Sequence, residues 1–230
     1  MLGQQSRITI QRWLTRLGEN LRPTHIQKLN SCLNYLEVGR WLKAKGFETQ
    51  PRYASRDLLY RALAEGVATA KVLYLEFGVW QGESMHEWSK LLQNPASSLH
   101  GFDSFEGLPE DWDARRPQGT FDLQGAPPEF DDPRVVLHKG WFDQTLPDFV
   151  LPEHERLVIN VDADLYSSTI YVLDHLRDAI RPGTIIIFDE FCDRLHELRA
   201  FGEFLKKTGM RFDFVGGTAN LEQAAFERRA

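Results

Sequence analysis

Val72-Leu73-Tyr74-Leu75-Glu76-Phe77-Gly78-Val79-Trp80-Gln81-Gly82-Glu83-Ser84 decides how this chain folds. An apolar run ends in an acid, and two glycines follow four residues apart. Helical spacing then begins at once, with Met85, Trp88, Leu91 and Leu92 recurring until Pro95. The pattern predicts a first parallel strand that hands over to its helix around a bound ligand. Gly78 permits a sharp turn, and Gly82 permits backbone to approach a ligand where a Cβ would collide. Glu76, at the strand's end, is expected to face whatever the turn holds, with Ser84 at the start of the helix beside it. The plainer alternative is a tightly packed strand-turn-helix with no ligand.

The spacing departs from the dinucleotide fingerprint G-x-G-x-x-G, because Val79 and Trp80 follow Gly78 directly. Less backbone is left exposed for a pyrophosphate. An acid at the strand end suits a cofactor with a cationic amino acid moiety better. A nicotinamide-dependent oxidoreductase is thus the competing enzyme class, and a non-catalytic cofactor-binding protein is a further alternative.

Downstream, strand and helix patterns alternate, which predicts an α/β, doubly wound, Rossmann-like and mostly parallel sheet. Leu99-His100-Gly101-Phe102-Asp103 reads as a second strand ending in an acid. In such folds that acid accepts from ribose hydroxyls, a role that suits Asp103 with Ser104 beside it. Residues 106–134 are rich in Pro and Gly and carry Trp112, Phe121 and Phe130, the composition of a functional lid. Val135-Val136-Leu137-His138 resembles a third strand, followed by Lys139-Gly140-Trp141-Phe142. Trp141 just beyond it either flanks a purine or belongs to the core.

Leu157 to Val161 is a buried strand that emerges in Asp162-Ala163-Asp164. After a helix marked by Tyr166, Ile170, Leu173, Leu176 and Ile180, Thr184 to Phe188 forms a fifth strand that emerges as Asp189-Glu190. Parallel neighbours put their carboxyl ends on one rim, so Asp162, Asp189 and Glu190 are expected to converge. Crowded acids repel unless a cation sits between them, and an all-oxygen set suits Mg²⁺, Mn²⁺ or Ca²⁺. Helix capping, or pairing with Arg194 and Lys139, is the alternative. A last amphipathic helix (Leu195, Leu198, Phe201, Leu205) leads to strands near 211–215 and 221–226, a terminal antiparallel hairpin.

Upstream, residues 1–70 read as a helical cap, lid or dimerisation segment ahead of the main domain, 71–230. Ile8, Ile10, Trp13, Leu14 and Leu17 make an amphipathic stretch among Arg7, Arg12 and Arg16. Ile26, Leu29, Leu33, Leu36 and Leu42 mark a second helix to Gly46, and Ser55 is a candidate N-cap for a third. Such an arm packs on its own domain or on a neighbouring subunit, which makes a homodimer an expectation; membrane binding is the alternative.

The composition bounds these readings. The 230 residues suffice for one domain with an appendage, and 42% hydrophobic with 26% charged residues is ordinary for a globular chain. A net charge of −6 without a long Lys/Arg run argues against nucleic acid as partner. The two cysteines, Cys32 and Cys192, stand far apart, so a disulfide framework is not expected and a reducing, cytoplasmic setting is.

The ordered motifs Glu76-Phe77-Gly78-Val79-Trp80-Gln81-Gly82, Gly101-Phe102-Asp103-Ser104-Phe105-Glu106-Gly107-Leu108-Pro109, Asp162-Ala163-Asp164-Leu165-Tyr166-Ser167-Ser168-Thr169 and Asp189-Glu190 resemble the macrocin O-methyltransferase family of class I S-adenosylmethionine-dependent methyltransferases. The likeness covers roughly residues 55–228. It implies that the Glu76 to Gly82 turn holds the methionine part of S-adenosylmethionine and Asp103 its ribose. It further implies that Asp162, Asp189 and Glu190 bind Mg²⁺ and that Asp164 is the general base. The acceptor implied is a hydroxylated small molecule, most simply a deoxysugar, with a catechol or other vicinal diol as alternative. Two departures stand out: Glu190 replaces a second Asp, and the N-terminal region differs from the lids of the antibiotic enzymes.

Overall fold

The computed structural model describes residues 4–47 and 51–230. Helices α1 (Gln4–Gly18) and α2 (Pro23–Lys45) come first, then the short strand β1 (Arg52–Tyr53) and helix α3 (Arg56–Glu65). Strands and helices then alternate: β2 (Val72–Phe77), α4 (Glu83–Leu91), β3 (Ser98–Asp103), β4 (Val135–Lys139), α5 (Phe142–Thr145), β5 (Arg156–Val161), α6 (Tyr166–His175), β6 (Ile185–Phe188) and α7 (Glu197–Thr208). Strands β7 (Phe212–Thr218) and β8 (Ala224–Arg228) close the chain.

The strands form one sheet in the order β1-β7-β8-β6-β5-β2-β3-β4. The run from β4 to β6 is parallel throughout, whereas β8 pairs antiparallel with both β6 and β7. The expected five-stranded parallel sheet with a terminal hairpin is therefore present. Strand β1 was not expected; two residues paired parallel to β7 carry no readable periodicity.

Every residue of β2 is buried, because helices cover both faces of the sheet. Alternation still sorts its side chains. Leu73, Leu75 and Phe77 join Ile159, Val161, Phe188 and Phe226 on the face covered by α6, α7 and the end of α2. Val72 and Tyr74 join Val158, Ile185 and Ile187 under Leu59, Tyr60, Leu63 and Trp88 of α3 and α4. By the same parity Glu76 points to the α3/α4 face, a placement that matters below.

Helix α2 is anchored only by its second half, where Val38 and Leu42 are buried and Trp41 sits edge-on to Phe191 and Phe226. Gly46, at φ 73, ends it in the left-handed conformation. Helix α1 has no buried residue. Ser55 caps α3 as expected, its hydroxyl accepting from the Leu58 amide at 3.4 Å. Among the described residues no helix is long and apolar enough to cross a membrane.

Residues 104–134 form no helix or regular strand but are stitched by backbone hydrogen bonds, among them Leu108 N–H to Thr120 O at 2.9 Å and Gly125 N–H to Phe105 O at 2.8 Å. Trp112 packs with Leu108 and Leu165, and Phe130 lies 4.4 Å from the His86 ring centroid.

On the other side of the sheet's β3/β4 edge, His100 and His138 share a hydrogen bond of 2.9 Å between Nδ1 and Nε2, packed against Phe102 and Phe149. Burial, and then His138, push the His100 imidazole down to about 4. The unfolded chain takes up this proton near pH 6.5, whereas the folded chain refuses it until near pH 4, so the stability is present above that window and lost as pH falls through it. The shift corresponds to a loss on the order of 3 kcal/mol. Urea unfolding between neutral pH and pH 4 should therefore show a shallower loss in His100→Leu than in the parent; equal slopes would refute the assignment.

Candidate active site

Strand register brings the predicted acids to one rim. Phe77 pairs with Val161, and Val161 with Phe188, so the residues just beyond β2, β5 and β6 emerge side by side, with Asp103 at the tip of neighbouring β3. Below the rim opens a cavity of about 630 Å³, a volume suited to a small-molecule ligand. Gly78, Asp103, Ser104, Gly140, Trp141, Asp162 and Asp164 line it, together with Trp80, Phe121, Phe142 and Tyr171. Trp141 is thus a wall of the cavity and not a core residue.

Glu76, Gly82, Ser84, Asp189 and Glu190 lie outside that lining. Glu76 does not face the space held by the turn. It is buried on the α3/α4 side, accepting from the Tyr74 hydroxyl and, at 3.5 Å, from Asn160 Nδ2. Burial raises its carboxyl to about 8. Ser84 is likewise buried, 3.5 Å from the Tyr60 hydroxyl.

The two glycines are explained by the protein's own packing. A Cβ on Gly78 would stand 1.8 Å from the Asp162 carbonyl, so only glycine lets β2 and β5 finish together. A Cβ on Gly82 would meet Phe130 at 2.6 Å. Close approach was the right requirement, and the neighbour is the long loop.

Asp103 ties the rim together. One carboxylate oxygen accepts from the Val79 and Trp80 amides at 2.8 Å each, and the other from the Phe105 amide at 2.7 Å. The turn after β2 is thereby fixed to the tip of β3. Ser104, buried, accepts from the Glu106 amide at 3.1 Å. Trp80 at φ 45 and Asp164 at φ 58 sit in the left-handed region that side chains seldom adopt, a concentration of strain beside the cavity.

Electrostatics distinguish these acids from ordinary surface carboxylates. Asp162 is pushed well up by burial and then by Asp189, Asp164 and Glu197. Asp164 is raised to about 7 by burial and Asp189, and Glu190 to about 8 by burial, Asp189 and Asp164. Asp189 rises through burial, opposed by Arg56, whose Nη1 lies 3.8 Å from it, and by Gln223, which donates to it at 3.0 Å.

Three partners were not foreseen. Arg56 also reaches Glu83 at 3.0 Å, and its place at the start of α3 gives no hint of a pairing so distant in the chain. Gln223 comes from the terminal hairpin. Glu197, fully buried in the first turn of α7, accepts from the Glu190 amide at 2.8 Å while its Oε1 has no partner among the described residues. In sequence it looks like an acid placed to suit a helix dipole.

Whether this region fits a divalent cation can be tested on its donors. All are oxygens, burial and then neighbouring acids raise Asp162 and Glu190, and Glu197 Oε1, buried, has no partner among the described residues. Those features fit a hard cation. Among the described residues, however, no three His, Cys, Asp or Glu side chains are already gathered as a ligand set.

Comparison with known proteins places this geometry. The model of the family described as Macrocin-O-methyltransferase (TylF) matches residues 54–215. The 8-demethyl-8-(2,3-dimethoxy-alpha-L-rhamnosyl)-tetracenomycin-C 4'-O-methyltransferase of Streptomyces olivaceus is 31% identical over 162 residues, 60% of this chain and 60% of its own. Mycinamicin III 3''-O-methyltransferase of Micromonospora griseorubida is 33% identical over 73 residues, 30% of this chain and 28% of its own. The chain thus spans at most 60% of the length of these relatives. Among solved structures, the O-methyltransferase NovP superposes with a TM-score of 0.58 at 22% identity, covering 76% of this chain and 80% of its own. The calicheamicin methyltransferase CalS11 does so at 0.58 and 21%, covering 99% and 94%. These two likenesses show a shared fold.

Removing the Asp103 carboxylate would strand three amide donors around the turn. Asp103→Ala should lower stability in urea by about 2 kcal/mol. An unchanged unfolding midpoint would mean that the turn holds itself.

Proposed function

The chain belongs to the macrocin O-methyltransferase family, and from that premise we propose that it is an S-adenosylmethionine-dependent O-methyltransferase. Its acceptor in this reading is a hydroxylated small molecule, a sugar or glycoside of a secondary metabolite, and the reaction uses Mg²⁺. The observation that carries the reading is the convergence of Asp103, at the tip of β3, with Asp162 and Asp164, just beyond β5, on one cavity. The family match and the two named sugar O-methyltransferases support the reaction class.

In this reading S-adenosylmethionine supplies a methyl group already activated on a sulfonium, so the protein's task is alignment. Asp103 retains lone pairs beyond the three amides it binds, and these accept from the ribose hydroxyls. Gly140 and Trp141 form the wall against which the purine rests. Glu76, buried under the turn, acts through Tyr74 and Asn160 to hold the β2 and β5 tips and does not touch the ligand.

A sugar hydroxyl is a poor nucleophile at neutral pH. Mg²⁺, held by Asp162, Asp189 and Glu190, would supply positive charge for the developing alkoxide. Asp164 takes the hydroxyl proton at its carboxylate. Its left-handed backbone and burial within the cavity wall fix the direction in which it presents that oxygen. Glu197 holds the Glu190 amide and so positions the loop after β6.

A homodimer and a reducing, cytoplasmic setting complete the proposal; the free thiols of Cys32 and Cys192 are in keeping with the latter.

Asp164→Asn should slow single-turnover methylation about 10²- to 10⁴-fold while S-adenosylhomocysteine affinity stays within a few-fold. A parental rate would remove Asp164 as the base. Calorimetric titration of Mg²⁺ into chelator-treated protein should give a binding heat that Asp189→Ala loses, with S-adenosylhomocysteine binding retained in both. Identical Mg²⁺ heats in the two proteins would sink the metal assignment.

A further inference from the structure

Helix α2 has two apolar faces, and its body uses only one. Val38, Trp41 and Leu42 pack on the core. On the opposite face Ile26, Leu29, Leu33 and Leu36 follow one another at steps of three, four and three residues, and they are 44%, 56%, 49% and 70% exposed. That is the spacing of a helix-to-helix seam. Along α1, Ile10, Trp13, Leu14 and Leu17 form a second stripe, each at least 43% exposed, and every residue of that helix is exposed.

We propose that α1 and α2 form the interface with a second copy of this chain, centred on the α2 seam. This deepens the homodimer expectation and rests on the placement of these helices, not on the methyltransferase chemistry. Size supports it: eight large apolar side chains about half exposed offer an area on the order of 700 Å² per chain, close to the roughly 800 Å² that each partner of a standard interface hides.

Charge selects the occupant. Residues 4–47 carry eight Lys or Arg against Glu19 and Glu37, while the whole chain has net charge −6, so the rest is strongly acidic. An anionic membrane attracts such an arm but repels its body. A second copy offers the arm an apolar seam of matching length beside an acidic body.

The seam is also mechanically linked to the catalytic rim. Arg194, in the loop that follows Asp189 and Glu190, donates to the Asn30 carbonyl at 3.3 Å and to Asn34 Oδ1 at 2.5 Å. Association that orders α2 therefore steadies the loop carrying two proposed metal ligands.

The test is the mass of the full chain in solution by light scattering at micromolar concentration. The parent should be a dimer, and the Leu29→Glu/Leu36→Glu double variant a monomer that still unfolds in one cooperative transition; Val150→Glu, also on the surface, should remain dimeric. Cys32 lies near the middle of the seam and is exposed, whereas Cys192 is half-buried. A short bis-maleimide should hence give a covalent dimer that Cys32→Ser abolishes, a readout independent of how the double variant folds. A monomeric parent, or a parent that stays monomeric and sediments with phosphatidylserine vesicles, would overturn the proposal. S-adenosylhomocysteine binding, measured alongside, reports separately on the proposed function.

Discussion

The carboxylates drawn to one rim by strand register are the constraint on which this molecule turns. Parallel pairing of β2, β3, β5 and β6 finishes all four strands on one edge, and each carries an acid at, just before or just after its end. Ionised together in a largely buried setting they would repel, and their raised protonation behaviour registers that conflict. The protein answers each acid differently. Asp103 is satisfied by amides, Asp189 by Arg56 and Gln223, and Glu76 by Tyr74 and Asn160. Asp162 and Asp164 face the cavity, where burial and their acidic neighbours leave their charge least compensated.

The sheet was legible because a strand buried on both faces is a long apolar run, and because helices of this size repeat their apolar positions visibly. The acids at the strand ends were legible for the same reason, since topology alone assigns them to one rim. Their directions needed the parity of β2: Glu76, two residues beyond Tyr74, shares its face and turns away from the cavity. What stayed hidden were pairings between distant segments. Arg56 meets Asp189 and Gln223 meets Asp189 only after the sheet has closed. Gly82 was read correctly as a place of close approach, but which group approaches depends on how Phe130 folds back from the long loop.

That loop is better understood as part of the wall than as a free flap. Gly107, Leu108, Gln118 and Phe121 line the cavity, and Trp112 anchors the segment against Leu165, directly after Asp164. Arg116 lies over the Trp112 ring and brings a positive charge toward Asp164 and Glu190. The sequence shows aromatics and turn residues there but not which of them face inward. Cross-loop hydrogen bonds such as Leu108 to Thr120 settle that, and no local periodicity encodes them.

Helix α2 joins the two halves of the argument. A helix held to its domain only over its second half should fray at its first half unless that half is also covered, since a helical stretch of about a dozen residues is marginal in water. Over its first half the side chains on its uncovered face are leucine and isoleucine, not the polar residues that would solvate a free face. Its polar flank, Asn30 and Asn34, is spent on Arg194 of the loop after β6. Disorder in α2 would thus reach Asp189 and Glu190 through few covalent steps. A chain that places two proposed metal ligands on a loop braced by a half-supported helix gains a firm site only when something completes that support, and the seam's spacing and charge describe a copy of itself.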